Sequence, residues 1–322
     1  MKKAYICLDI GGTKVLGSVF DENLKIVCTV KKKTKAEEGK EKIEERILGI
    51  IEELITKSQM DRGSLVAIGA GAPGIIDEST GHIIFTPNIP WKNYNIKKVI
   101  EDRFNVPFHI GNDVKMGTLG EWKYGAGKGR ENIVGIFVGT GIGGGVIIDN
   151  KLYAGAKHSG TEIGHMIINT EGPYCNCGQR GCLEAYASKI AITREIRTQM
   201  QRGRKTILSE LMGEDTSVIK SKMLKKAVEQ KDELALEVLD KAVYYLAAGA
   251  GSLINIFNPN MIIFGGGVFE ALGGYMLPKV QEKIKRFSMP AVLEGTEIVQ
   301  SKLGDDSILY GSLALIMEKF GK

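Results

Sequence analysis

One order of elements occurs twice in this chain, and it limits the possible fold more than any other feature. Ala4–Ile10 is apolar and β-branched, Gly11-Gly12 turns the chain, and Lys14–Phe20 runs back. Asp21-Glu22-Asn23 then turns it again into a third strand, Leu24–Val30. The order restarts at Ile133–Val138, followed by a glycine turn (Gly139–Gly143), a strand (Gly144–Ile148), Asp149-Asn150, and a third strand beginning at Lys151–Ala154. Residue identity between the copies is thin: Gly-Ser-Val-Phe-Asp-Glu-Asn at 17–23 faces Gly-Val-Ile-Ile-Asp-Asn at 145–150. The order of elements therefore carries the argument. Two copies of one α/β unit predict two domains with a cleft between them, a common place for a ligand.

The other segments suit that reading. Ile43, Ile47, Ile50, Ile51, Leu54 and Ile55 fall on one face of a helix expected over Lys40–Lys57. Leu65–Ala70 reads as a strand, Asn95–Phe104 as a short helix, and Val106–Ile110 as a strand running into Asn112-Asp113. Later helices are expected over Leu183–Arg202, Asp232–Phe257 and Ile308–Phe320, with a strand at Met261–Phe264. A chain that is 43% hydrophobic and 25% charged can bury such cores and is not a disordered one.

Several function classes fall away. A net charge of +5 with basic residues in every region does not argue for nucleic acid, and Lys31, Lys32, Lys33 and Lys35 read as a solvated strand end. Lys2 and Lys3 precede an apolar run that Asp9 ends after five residues, too short for a signal peptide. No stretch approaches the length of a bilayer span, so a cytoplasmic protein without a membrane partner is expected. Five cysteines in that compartment are not expected to form disulfides.

The glycine turns are candidate phosphate sites. In Asp9-Ile10-Gly11-Gly12-Thr13-Lys14, glycine lets the backbone approach a phosphate, Thr13 and nearby amides can donate to it, and Asp9 is placed to hold Mg²⁺. A plain hairpin turn is the alternative. The motif lacks a Walker ending, and no helix follows it as in a Rossmann site. Gly139-Thr140-Gly141-Ile142-Gly143-Gly144-Gly145 holds five glycines in seven residues, which weakens a strand unless a ligand or another backbone comes close. Gly265-Gly266-Gly267 follows an apolar strand and could set backbone against a nucleotide.

Two further clusters carry chemistry. Asp113 at a strand end can accept a hydroxyl proton while that oxygen attacks phosphorus, and Asn112 can hydrogen-bond a sugar hydroxyl. An Asn-Asp pair is also a common turn or helix cap. Glu162-Ile163-Gly164-His165 precedes Cys175, Cys177 and Cys182, and His165 with these three makes a Cys₃His set suited to tetrahedral structural zinc. Buried free thiols or a redox pair are the alternatives. Cys7 and Cys28 lie in expected strands and read as core residues.

Asp9–Lys14, Gly139–Gly145, Glu162–His165 and the Cys175–Cys182 cluster running into Leu183-Glu184-Ala185 together resemble the ROK family, in the right order over nearly the whole chain. The resemblance implies the duplicated actin/hexokinase-type (ribonuclease H-like) α/β fold. A smaller domain would cover 1–115 plus 302–322, and a larger one, with a zinc-binding loop, 116–301. It implies a hexose kinase using ATP and Mg²⁺ with structural Zn²⁺, and a homodimer or dimer of dimers. By resemblance Asp113 is the catalytic base, and Asn88, Asn112, Glu162, His165 and Glu184 bind sugar hydroxyls. Gly71-Ala72-Pro73-Gly74 forms the loop beneath the sugar. His165, Cys175, Cys177 and Cys182 hold zinc. Asp9, Gly11, Gly12, Thr13, Lys14, Gly139, Thr140, Gly141, Gly265, Gly266 and Gly267 serve the nucleotide. Pro87-Asn88-Ile89-Pro90-Trp91 resembles the glucokinase-like members, so glucose phosphorylated on its 6-hydroxyl leads over fructose, mannose, allose, N-acetylglucosamine and N-acetylmannosamine. Trp91 either shapes the pocket or is structural.

Two positions depart from the family. Val114-Lys115 stand where relatives often have Ala-Asn, so a lysine sits beside the base, either depressing its pKa or pointing to solvent. Thr161 stands where many relatives have glycine. The donor, whether ATP, ADP or polyphosphate, is open. The family also contains sugar-responsive transcriptional regulators, which carry a helix-turn-helix ahead of the kinase-like part. With a strand from residue 4 and no basic stripe, that module is not expected here. A non-catalytic actin-like scaffold would need neither Asp113 nor the cysteine cluster.

Overall fold

A computed structural model of the chain describes residues 2–212 and 218–320. The chain divides into two compact units, each built on its own five-stranded sheet. The first unit runs up to Gly129, takes in Leu152–Gly160, and includes the chain from Asp306 onward. The second comprises Arg130–Lys151 and Thr161–Asp305.

In the first unit β1 (Ala4–Ile10), β2 (Lys14–Phe20), β3 (Ile26–Lys33) and β4 (Leu65–Ala72) are followed by β5 (Ile75–Asp77), β6 (His82–Phe85), β7 (Lys92–Tyr94) and β8 (Phe108–Asn112). The main sheet has the order β3-β2-β1-β4-β8, and β5-β6-β7 form a small separate sheet. Hairpins join β1 to β2 and β2 to β3, whereas β1, β4 and β8 run parallel. The helix Lys40–Ser58 packs its predicted isoleucine and leucine face into the core beneath this sheet.

In the second unit β9 (Ile133–Val138), β10 (Ile142–Ile148), β11 (Lys151–Leu152), β12 (Met261–Gly265) and β13 (Glu297–Gln300) form a sheet of order β11-β10-β9-β12-β13. Strand for strand this repeats the first sheet's order, with an antiparallel hairpin of β9 and β10 on one side and the parallel neighbours β12 and β13 on the other. The two copies of one α/β unit expected from the repeat are therefore observed, in the duplicated actin/hexokinase-type fold that the family resemblance implies. The helix Glu233–Phe257 buries one long apolar face in this unit's core.

Several boundaries differ from expectation for local reasons. β3 begins at Ile26 because Asp21 accepts the amides of Asn23 and Lys25, and Leu24 takes a positive φ of 60°. The glycine turn after β9 is only Gly139–Gly141, since Ile142 already pairs with Val138. The helix expected over Leu183–Arg202 is two helices, Glu184–Ala187 and Lys189–Gln201. Ser188 has extended backbone and caps the second, accepting the Ala191 amide. Val106–Ile110 shifts to Phe108–Asn112 behind a left-handed Asn105.

The helix Asp113–Tyr124 bears most directly on function. Its position is fixed against the helix Ser307–Phe320 by backbone contact, because a Cβ on Gly311 would stand 1.7 Å from the Met116 carbonyl oxygen. One on Gly120 would stand 2.1 Å from that of Ser307. The sequence reading carried no helix here, because its residues bury on nearly every side and leave no helical stripe.

Candidate active site

In the first unit the carboxyl ends of β1, β4 and β8 line up. Asp9 pairs with Gly71, and Gly71 with Gly111, one residue before Asn112. In open α/β sheets this is the edge where ligands bind. Asn112 ends its strand and caps the following helix, its Oδ1 accepting the amides of Val114 and Lys115 at 3.1 and 3.2 Å. Its Nδ2 donates to the Gly74 carbonyl at 3.1 Å. Much of this amide's capacity thus goes to the protein, in the helix-capping role that the sequence offered as the alternative.

Asp113 is the first residue of that helix and half-buried, with Oδ1 accepting the Val114 amide at 2.9 Å. Gly74 has φ 101°, and a Cβ there would lie 2.1 Å from the Phe85 carbonyl oxygen, so this loop beneath the strand ends requires glycine. Asn88 is exposed on the loop between β6 and β7, and a Cβ on Gly12 would come 2.6 Å from its own Cβ. Gly11, Gly12, Thr13 and Lys14 form a tight turn, closed by the Gly11 amide on the Lys14 carbonyl at 2.9 Å. The Thr13 side chain is exposed. Asp9, this turn, Asn88, Gly74, Asn112 and Asp113 are therefore neighbours in one unit.

Two residues near this edge decide between alternatives that the sequence left open. Lys115 does not point to solvent: it is 2% exposed, and its ammonium donates to the carbonyls of Ala154 and His158. Trp91 is fully buried in the core beside Tyr94, so its role is structural.

The second unit brings together the remaining candidates. Gly139, Thr140 and Gly141 turn the chain from β9 to β10, with Gly139 N–H donating to the Gly141 carbonyl at 2.9 Å. Beside it Gly266, at φ 83°, packs so closely that a Cβ would meet the Val138 carbonyl oxygen at 2.7 Å. Gly267 opens a helix, Gly267–Lys283, that the sequence reading did not contain. Strand, glycine turn and helix start place free backbone N–H groups where a phosphate can be held.

Glu162 is exposed and opens a single 3-10 turn, Ile163–His165. This turn lies against β10: a Cβ on Gly164 would fall 2.0 Å from the Ile142 carbonyl oxygen, and Gly144 makes room for Ile163. Thr161 has φ 68°, a conformation rare for a β-branched residue. Its hydroxyl donates to the Gly144 carbonyl at 3.1 Å.

His165, Cys175, Cys177 and Cys182 converge, with their ligand atoms all within 4.8 Å of one another. His165 Nδ1 lies 3.7 Å from the Cys175 sulfur, and the sulfurs of Cys177 and Cys182 are 3.7 Å apart. Tetrahedral zinc, with bonds of about 2.3 Å to sulfur and about 2.0 Å to nitrogen, sets its ligand atoms roughly 3.5–3.8 Å apart, so the donor set fits. Burial pushes the Cys175 thiol up to about 12 and raises Cys182 as well. Burial opposes ionisation of Cys177 too, but bonds from the Gln179 backbone and the other two thiols bring it below its ordinary value. The loop closes through Gly181, where a Cβ would lie 1.7 Å from the Asn169 carbonyl oxygen. Glu184 links this loop to the glycine turn, its Oε1 accepting from Cys175 at 3.5 Å and its Oε2 from the Ile142 amide at 2.8 Å.

Comparison with known proteins agrees with this picture. The ROK family pattern matches residues 5–319. A glucokinase from Thermotoga maritima is 36% identical over 321 residues, covering 99% of both chains. A xylose repressor from Caldicellulosiruptor bescii is 32% identical, matching 87% of this chain and 69% of its own length. Among solved structures, a ROK family glucokinase from Streptomyces griseus in complex with glucose and AMPPNP superposes with a TM-score of 0.84. It is 30% identical, with 96% of this chain and 97% of that one covered.

Proposed function

Because the chain belongs to the ROK family, we propose that it is a sugar kinase that transfers the γ-phosphoryl group of ATP to the 6-hydroxyl of a hexose, with glucose as the preferred acceptor. The observation that carries this reading is the grouping of Asp9, Asn88, Gly74 and Asp113 at one set of strand ends, on a fold shared with a glucokinase that binds glucose and AMPPNP.

The Asp113 carboxylate takes the proton of the 6-hydroxyl as that oxygen attacks the γ-phosphorus. The new O–P bond forms as the bond to the β-phosphate oxygen breaks, and ADP leaves. Asn88, Asn112, Glu162, His165 and Glu184 hold the sugar hydroxyls, so a sugar lacking one of them leaves a polar group unpaired. The turns at Gly11–Lys14, Gly139–Gly141 and Gly265–Gly267 offer backbone N–H groups to the nucleotide phosphates. Asp9 would hold Mg²⁺, which neutralises phosphate charge when bound. His165, Cys175, Cys177 and Cys182 would hold a structural zinc. With Nδ1 turned to the sulfurs, the histidine ring is fixed and Nε2 is left for the sugar.

The deciding assay measures ADP release from Mg-ATP with glucose, fructose, mannose, allose and the two N-acetylhexosamines. Turnover highest on glucose supports the full reading. A preference for another sugar keeps the mechanism and replaces the acceptor. No turnover on any of them, with ADP or polyphosphate as alternative donors, would overturn the kinase reading. The sugar-responsive regulator would then be preferred, as in the repressor relatives.

A further inference from the structure

Lys115 lies in the first turn of the helix that Asp113 begins and is 2% exposed. A buried ammonium is costly unless its hydrogens find acceptors. Here Nζ donates to the Ala154 carbonyl at 3.3 Å and the His158 carbonyl at 2.7 Å. Both acceptors belong to Leu152–Gly160, which clusters with the first unit although the chain on either side of it belongs to the second.

That segment is a closed loop. The Gly160 amide donates to the Ala154 carbonyl at 2.9 Å, and the His158 amide to that of Gly155 at 3.3 Å. Gly155 and His158 both have positive φ, and a Cβ on Gly155 would stand 2.8 Å from the Gly160 nitrogen. The loop has little slack, and two of its carbonyls face one cation.

We propose that Lys115 is a positioning residue: it fastens the loop Leu152–Gly160 to the helix turn carrying Asn112 and Asp113, and so holds that turn in place. It thereby sets affinity for the hexose rather than for the nucleotide. The functional part rests on the sugar-kinase reading above. The ammonium suits the task because one compact charge with three donors serves two carbonyls at once, which no apolar side chain of similar length can do.

The test compares wild-type protein with Lys115→Met and Lys115→Gln by steady-state kinetics and by amide hydrogen exchange. In Lys115→Met, KM for the hexose should rise roughly tenfold or more while KM for ATP stays within about twofold, and exchange over 154–160 should accelerate. Lys115→Gln keeps a donor and should fall between, and it gives the answer if the methionine variant does not fold. A lower Tm with both KM values and the exchange unchanged would mean Lys115 only stabilises the fold, and would overturn the proposal. If wild-type protein phosphorylates no hexose, the kinase reading fails separately. Exchange then decides the anchor: faster over 154–160 in the variants supports it, and unchanged exchange overturns it.

Discussion

Glu184 and Ile142 meet across 42 positions of sequence: the carboxylate Oε2 accepts the Ile142 backbone N–H at 2.8 Å. This contact fixes the orientation of a candidate sugar ligand from the glycine turn, and it exists because Gly141 has no side chain. A Cβ there would come 2.3 Å from the same oxygen. Gly141→Ala should therefore push the Glu184 carboxylate away while leaving the core untouched. Displacing a reacting-site group by about 1 Å can cost roughly 10²-fold, so kcat/KM for the hexose should drop by that order with Tm nearly unchanged. Wild-type kinetics in this variant would remove Glu184 from the site.

Asp113→Asn keeps the shape of the side chain and removes its basicity. Base catalysis is typically worth about 10²–10⁴-fold, so kcat should fall within that range while hexose binding, followed by titration calorimetry, persists. Near-normal turnover would mean that another group accepts the proton.

Cys177→Ala removes one donor from the Cys₃His set. Bound zinc, measured by mass spectrometry of the purified protein, should be lost, and hexose affinity should fall with it because His165 loses its anchor. Hexose affinity unchanged in a zinc-free variant would break the link between metal and sugar.

Much of this site could be read from the sequence because its parts are local. Glycine at a strand end, an Asn-Asp pair after a strand, and C-x-C spacing each mark a candidate position within a few residues, while the roles came from the family resemblance. What could not be read depends on distant partners. Lys115 looked like a choice between solvent and the base until the loop Leu152–Gly160 supplied its acceptors, some forty positions on. The helix at Asp113 lacked an amphipathic stripe because Gly120 and Gly311 let another helix cover its far side. Thr161 in a left-handed conformation, and Glu184 bound to the Ile142 amide, likewise became visible only once β10 had a neighbour.

Burial also leaves a mark on pH dependence. Glu78 is half-buried, one carboxylate oxygen makes no hydrogen bond, and burial raises its pKa above the ordinary glutamate value. The charges of Lys115, His158 and Lys319 act in the opposite direction, and Asp77 adds a smaller push upward. An acid whose folded-state pKa exceeds its unfolded value binds its proton more tightly when folded. Its favourable contribution is therefore complete below the unfolded value, about 4.3 for glutamate, and is lost as pH rises through the raised folded value. Glu78→Gln cannot ionise and escapes that loss. Calorimetric scans should show the Tm of the variant rising relative to wild type as pH goes from about 4 to about 7. A Tm difference that stays constant across this window would mean that Glu78 titrates alike in the folded and unfolded chains.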